Sequence, residues 1–134
     1  MTAKEYLEQM PYLDRNISYA AKEMYRFDEQ YKNLYMAGMK IRTPKEQEEE
    51  YKKFVDSFAE ARKKEADRIE EYLQLKQEIK TAVRAVPNPR LRAILEMHFF
   101  EQKTYSEIAG ILNYSEIYIR KLCQEGLLAI QIPE

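Results

Sequence analysis

Tyr6, Met10, Leu13, Ile17, Ala20, Met24, Phe27, Tyr31 and Leu34 follow one another at steps that alternate between four and three residues. That is a heptad seam, and it restricts the first part of the chain to an amphipathic helix lying against a partner. Thr2 and Glu5 stand at capping-box spacing just before it. Pro11 falls inside the series without shifting its phase. The spacing therefore predicts either a kink near residues 7–11 or a short separate first turn, not a lost helix. Gly38 suits a left-handed cap and predicts the helix end near Ala37-Gly38.

Thr43-Pro44-Lys45-Glu46 repeats the capping-box pattern, with proline at the first helical position, where its missing N–H costs nothing. A second helix is predicted from Pro44 to about Ala85, its seam being Tyr51, Phe54, Val55, Phe58, Ala61, Ile69, Tyr72, Leu73, Ile79, Val83 and Val86. At 1.5 Å per residue it reaches roughly 60 Å. A helix of that length is not stable alone and needs a partner along it. The first helix, antiparallel across the short connection, is the expected one. Each helix of such a hairpin buries a single stripe, so a second copy is expected to pack on it, giving a homodimer through residues 1–86. Several of the eleven tyrosines are expected in these seams, where a ring can be covered while its hydroxyl stays in water.

Val86-Pro87-Asn88-Pro89 ends this arm, because the residue before each proline is pushed out of helical dihedrals. The boundary is expected there, between an arm at 1–86 and a head at 87–134. Asn88 is placed to cap a third helix over about 89–102, with Leu91, Ile94, Leu95, Met97 and Phe99 as core candidates. Thr104-Tyr105-Ser106-Glu107 is a further capping box. It opens a short helix ending near Asn113, a residue that tolerates the left-handed turn. Ser115 then caps a last helix over about 116–130. Ile108, Leu112, Tyr114, Ile119 and Leu122 fall where a helix-turn-helix buries its apolar residues, and Ala109 is small where the two helices cross. Ser115, Glu116, Ile117, Arg120, Lys121 and Gln124 are left facing outward, as a recognition helix offers its residues to the major groove. The fold class expected is all-α: a long antiparallel, coiled-coil-like helical hairpin followed by a three-helix helix-turn-helix head.

Composition agrees, since three Gly and five Pro leave long uninterrupted stretches and no run of alternating β-branched residues appears. Charge sets a limit. The chain carries a formal net charge of −1. From Val86 to Glu134 five basic residues face six acidic ones. Phosphate neutralisation supplies most non-specific affinity, so one head alone is expected to bind DNA weakly. The basic residues Arg90, Arg92, Lys103, Arg120 and Lys121 are candidates for one shared face. A head kept only for protein contacts is the competing reading.

Other signals are quieter. His98 is the only histidine and Cys123 the only cysteine, so neither a metal site nor an intrachain disulfide is expected. Cys123 is read as a small buried residue and His98 as structural. Glu48-Glu49-Glu50 suits the positive end of a helix dipole. Arg62-Lys63-Lys64 is balanced by Glu60, Glu65 and Asp67, too short for a nucleic-acid patch. No phosphate loop, nucleophile motif or catalytic pair is visible, so no enzyme and no cofactor is expected. Without an apolar signal core or a stretch near the roughly 20 residues of a membrane span, a cytoplasmic protein with no membrane contact is expected.

The segment "LRAILEMHFFEQKTYSEIAGILNYSEIYIRKLCQEGLLAI" resembles region four of bacterial sigma factors. "LRAILEMHFF" matches the supporting helix, "TYSEIAGILN" the first motif helix and "YSEIYIRKLCQEGLLAI" the recognition helix. With its arm and the opening "TAKEYLEQ", the chain is similar to small sigma-region-four-like regulators of phages and prophages of Gram-positive bacteria, the ArpU-like group. The resemblance implies double-stranded DNA as partner, RNA polymerase as a possible second one, and Glu116, Ile117, Tyr118, Arg120 and Lys121 as base or phosphate contacts. The chain departs from the pattern at Glu116, usually basic, and Ile117, usually polar. No region-two-like segment is present, so a complete initiation factor is not expected. The function expected is sequence-specific transcriptional regulation. The alternatives are a subunit like the phage small terminase, which packages DNA, and an adaptor for RNA polymerase or sigma that binds no DNA.

Overall fold

The computed structural model describes residues 1–40 and 45–133, and all their regular structure is helical. Helix α1 spans Ala3–Lys40 and α2 spans Lys45–Arg84. Helix α3 spans Pro89–Leu95 and runs on as a π-helical segment, Glu96–Phe100. Helices α4, Tyr105–Leu112, and α5, Glu116–Leu128, complete the chain. The all-α reading holds: two long helices, then short ones closing in a helix-turn-helix.

Details of α1 differ from expectation. It is unbroken across Pro11, so no separate first turn forms. It passes Gly38 and continues to Lys40. A glycine costs a helix about 1 kcal/mol but stops it only where the backbone turns left-handed, and no glycine among the described residues has a positive φ. Thr2 caps the start: its Oγ1 accepts the Glu5 N–H at 3.1 Å. The Glu5 carboxylate reaches back only as far as the Thr2 hydroxyl, which donates to it at 3.1 Å, so the box is half of the expected one. The second capping box begins at Thr43-Pro44, which lie outside the described residues.

The chain forms two compact units, Met1–Arg15 with Leu73–Glu134, and Asn16–Tyr72. The first of them joins the start of α1 and the end of α2 to the helices that follow Pro87. In this first unit Lys76 Nζ donates to Asp14 Oδ1 at 2.6 Å, setting the start of α1 against the end of α2. Glu8 and Pro11 of α1 line a cleft of about 240 Å3 together with His98, Phe99, Gln102, Lys103 and Thr104. The core is correspondingly deep: Leu7, Ile79, Val83, Ile94, Leu95, Ile108, Ile119 and Cys123 are fully buried. Leu7 lies off the heptad series. It is buried because α1 meets more than one partner there, and a single stripe no longer covers all the contact.

Tyr6 is buried in this unit, and its hydroxyl finds no hydrogen-bond partner among the described residues. Burial, helped by Glu78, raises its pKa above the ordinary phenol value. An unsatisfied buried hydroxyl is destabilising, whereas its removal leaves the ring packing intact. Tyr6→Phe is therefore expected to raise stability by about 1 kcal/mol. Denaturant unfolding checks this, and a lowered midpoint would show that the hydroxyl is satisfied in solution.

The second unit is two antiparallel helical segments. Phe27 and Phe58 meet edge to face at 5.4 Å between centroids. Arg62 Nε and Nη2 donate to the two oxygens of Asp28 at 2.5 and 3.4 Å and hold its carboxyl below the usual pKa. Burial is shallow here. Ile17, Met24, Phe27, Val55, Phe58, Ala61, Ile69 and Tyr72 are half-buried. The seam expectation is corrected at Tyr31 and at Leu73, the first residue of the other unit, which are both exposed, as are Tyr12, Tyr19 and Tyr25 off the seam. Two helices cover only the line between them. The side chains of Leu34, Tyr51 and Phe54, expected in the seam, lie outside the described residues.

Candidate nucleic-acid interface

Local chemistry builds the frame. Asn88 Oδ1 accepts the Arg90 and Leu91 N–H groups and starts α3, with Pro89 at its first position. The expected single helix over 89–102 instead widens: Glu101 N–H reaches Glu96 O, five residues back, at 3.0 Å. Gln102 closes the segment at φ 59°, its amide donating to Phe99 O at 2.7 Å. Met97 is half-buried and Phe99 buried as a result.

The third capping box is complete. Thr104 Oγ1 accepts the Glu107 N–H at 3.1 Å, and Glu107 Oε1 accepts the Thr104 N–H at 3.2 Å. Helix α4 stops at Asn113 in the left-handed region, φ 59° and ψ 42°. Ser115 Oγ then accepts the Tyr118 N–H at 3.2 Å and starts α5. Ile108, Ala109, Ile119 and Leu122 are buried as expected. Leu112 is half-buried, and Tyr114, expected inside, is exposed. Its hydroxyl accepts from Arg90 Nη1 at 3.2 Å and its ring meets Tyr118 edge-on at 5.1 Å, contacts that suit a ring on the outside.

At roughly 100° per residue, Ile119, Leu122, Cys123 and Gly126 form the buried side of α5, while Glu116, Ile117, Arg120, Lys121 and Gln124 fan over the opposite arc. All five are exposed, Ile117 at 81%. Ser115 sits at the head of this face with its hydroxyl engaged in the cap. Tyr118 is half-buried against Tyr114, at the edge of the face.

The basic candidates do not gather equally. Arg90 is brought to the turn before α5, where the Tyr114 hydroxyl, with Tyr118 nearby, raises its pKa further. Arg92 is half-buried and donates to Arg84 O at 3.4 Å, at the end of α2. Lys103 pairs with Glu101 at 3.6 Å. Arg120 Nη2 donates to Glu116 Oε1 at 2.9 Å, and its guanidinium carbon lies 5.1 Å from the Tyr105 ring centroid. Tyr105 stacks on His98 at 4.3 Å and 14°, and His98 Nδ1 lies 2.9 Å from Lys103 O. Since a carbonyl only accepts, that nitrogen is the protonated one. Burial raises the pKa of Tyr105 and, more directly, of Cys123, which stays a thiol within the core.

Sequence reading passed over Tyr105 and Tyr114 as organisers of Arg120 and Arg90. A signal existed for one contact: Glu116 and Arg120 stand at i,i+4. None existed for the rings, whose meeting depends on how α3, α4 and α5 cross.

Residues 88–131 match the family model described as sigma-70, region 4, about a third of the chain. This segment is thus a helix-turn-helix of the DNA-binding, sigma-region-four-like kind. No curated protein matches the chain, and no solved structure does. No helix among the described residues is long and apolar enough to cross a membrane.

Proposed function

We propose, from the region-four-like build of residues 88–131, that this protein is a sequence-specific double-stranded-DNA-binding regulator of transcription. It acts in the cytoplasm without a catalytic step or cofactor, as a homodimer through residues 1–86, with residues 87–134 as the DNA-binding head. The carrying observation is the open face of α5, held on a helix-turn-helix whose cap, left-handed turn and second cap are all in place. The half-buried seam of the second unit supports the dimer, since two helices alone leave those side chains partly wet. The resemblance to phage and prophage regulators of the ArpU-like group, and through it a contact with RNA polymerase, belongs to the same reading.

One observation favours the adaptor alternative: Ile117 and Leu128, both over 80% exposed, stand on the same side of α5. Large exposed apolar side chains suit a protein partner, although an apolar group also suits a thymine methyl.

A salt titration of affinity on random duplex DNA, with the full chain, tests the reading. Glu116→Lys replaces a carboxylate by an ammonium on the open face. It is expected to tighten binding to unrelated duplex on the order of tenfold near 0.1 M salt and to steepen the salt slope by about one. Sedimentation at tens of micromolar (roughly, as a working range) is expected to give a dimer. No duplex binding together with capture of polymerase favours the adaptor, and the mass of a many-subunit ring favours the packaging alternative.

A further inference from the structure

The two helical segments of the second unit meet along one line, which leaves the unit a broad face on each side of that line. At roughly 100° per residue, Ile17, Ala21 and Met24 of α1 fall to one side of it, and Val55, Ala59 and Ala66 of α2 fall to one side likewise. The Asp28–Arg62 pair, and a hollow of about 210 Å3 lined by Phe27, Asp28, Tyr31, Phe58, Ala59 and Arg62, join these two arcs into a single face. The opposite side carries Asn16, Glu23 and Gln30 of α1 with Ser57, Lys64 and Arg68 of α2. There Glu23 pairs with Arg26 at 3.0 Å and Glu65 with Arg68 at 3.2 Å, each pair within its own helix. One face of the unit is thus apolar and the other polar.

On the apolar face Ile17, Met24, Val55 and Ala66 are only half-buried, and Ala21 and Ala59 are exposed, so water reaches a continuous apolar surface. Its central charges cancel: Arg62 gives two N–H groups to the two oxygens of Asp28, so two such faces meet without like-charge repulsion there. The same face holds a hollow and a protruding ring, Tyr25, 66% exposed at its outer edge. A surface with both can complement itself, as a two-fold interface requires. Size agrees. From Asn16 to Lys40 α1 runs roughly 37 Å, and two helices side by side are about 20 Å wide, so the face covers roughly 700 Å2, near the ~800 Å2 that each partner buries in a stable complex.

We propose that a second copy of this chain docks on the side of Ile17, Met24, Val55 and Ala66, face to face with the same side of its partner, and that the side of Glu23 and Arg68 stays in water. The two hairpins then make a four-helix bundle. This rests on the homodimer reading above and assigns the surface that makes it. The experiment is sedimentation equilibrium of the full chain over the micromolar range, with circular dichroism on the same samples. Ala21→Glu and Ala59→Glu each put a carboxylate into the interface. Both alanines are exposed in the single chain, and glutamate is nearly as good a helix former, so the line where the two helices meet is left as it is. Each variant is expected to weaken the dimer on the order of a hundredfold. Gln30→Glu and Ser57→Glu add the same charge to the polar face and are expected to leave the dimer unchanged. An equimolar mixture of Ala21→Glu and Ala21→Lys is expected to associate about tenfold more tightly than either variant alone. A hairpin that had merely misfolded would not be rescued in this way. If Ala21→Glu and Ala59→Glu leave the mass unchanged, if the polar-face variants dissociate as far, or if the mixture shows no rescue, the assignment is overturned while the dimer stands. If the wild type is a monomer throughout, the dimer reading falls and this inference with it.

Discussion

Leu7→Ala is expected to destabilise the first compact unit by about 2–5 kcal/mol, although Leu7 stands in the first turns of the chain, where truncation is ordinarily harmless. The side chain is 0% exposed, and Tyr6, Met10 and Leu13 beside it on α1 are buried too. The cost has two parts, the lost transfer of the removed carbons and the cavity they leave, and the second grows where the surroundings cannot close in. Here the unit is closely filled: Ile79 and Val83 of α2 are fully buried in it, and the Asp14–Lys76 bond ties the two helices nearby. Leu73→Ala is the comparison. That residue is 49% exposed, so its truncation is expected to cost under about 1 kcal/mol. Thermal and denaturant unfolding of the two variants separates the cases. Equal losses would mean that the start of α1 is not part of the folded unit in solution. Because Leu7 shares its unit with the helix-turn-helix, Leu7→Ala is also expected to weaken DNA binding at elevated temperature, with no side chain of the binding face altered.

Leu95→Ala is expected to cost a similar amount, about 2–5 kcal/mol, and its partner can be identified by a second substitution. Leu95 closes α3 and is fully buried. Gly126 lies on the buried side of α5, and a Cβ added there would stand 3.1 Å from both Cγ and Cδ1 of Leu95. Gly126 is small because α5 comes this close to α3; its φ is not positive, so backbone freedom is not the reason. Gly126→Ala brings two opposing effects. Helix propensity favours alanine by about 1 kcal/mol, and overpacking against a side chain with no room to move costs about 1–3 kcal/mol. A net loss of up to about 2 kcal/mol is expected. In the double variant the new methyl group enters space that Leu95 has vacated. The overpacking then disappears, and the double variant is expected to be more stable than Leu95→Ala alone. A double-mutant cycle reads this as a coupling of about 1–2 kcal/mol. Additive losses would mean that α3 and α5 do not meet through these two residues.

What the sequence determined by itself was local. Thr104, Glu107, Asn113 and Ser115 act within a few residues of where they stand, so their hydrogen bonds and the left-handed turn were legible from spacing alone. The same holds for Asn88-Pro89 at the start of α3 and for the buried positions Ile108, Ala109, Ile119 and Leu122, which repeat with the helical period. Tertiary structure decided what depends on which elements meet. Leu7 carries no mark that separates it from an apolar residue left at a helix edge, and it is buried only because the start of α1 returns to the head. The π-helical segment Glu96–Phe100 has ordinary helix-compatible residues, and it widens where Phe99 turns inward and Gln102 takes a positive φ. The pairing of Arg120 with Tyr105 and of Arg90 with Tyr114 joins residues far apart in the chain. The helical period of α5 says that Arg120 is exposed. Whether its charge is free for a phosphate or held beside a carboxylate and a ring is a property of how three helices cross.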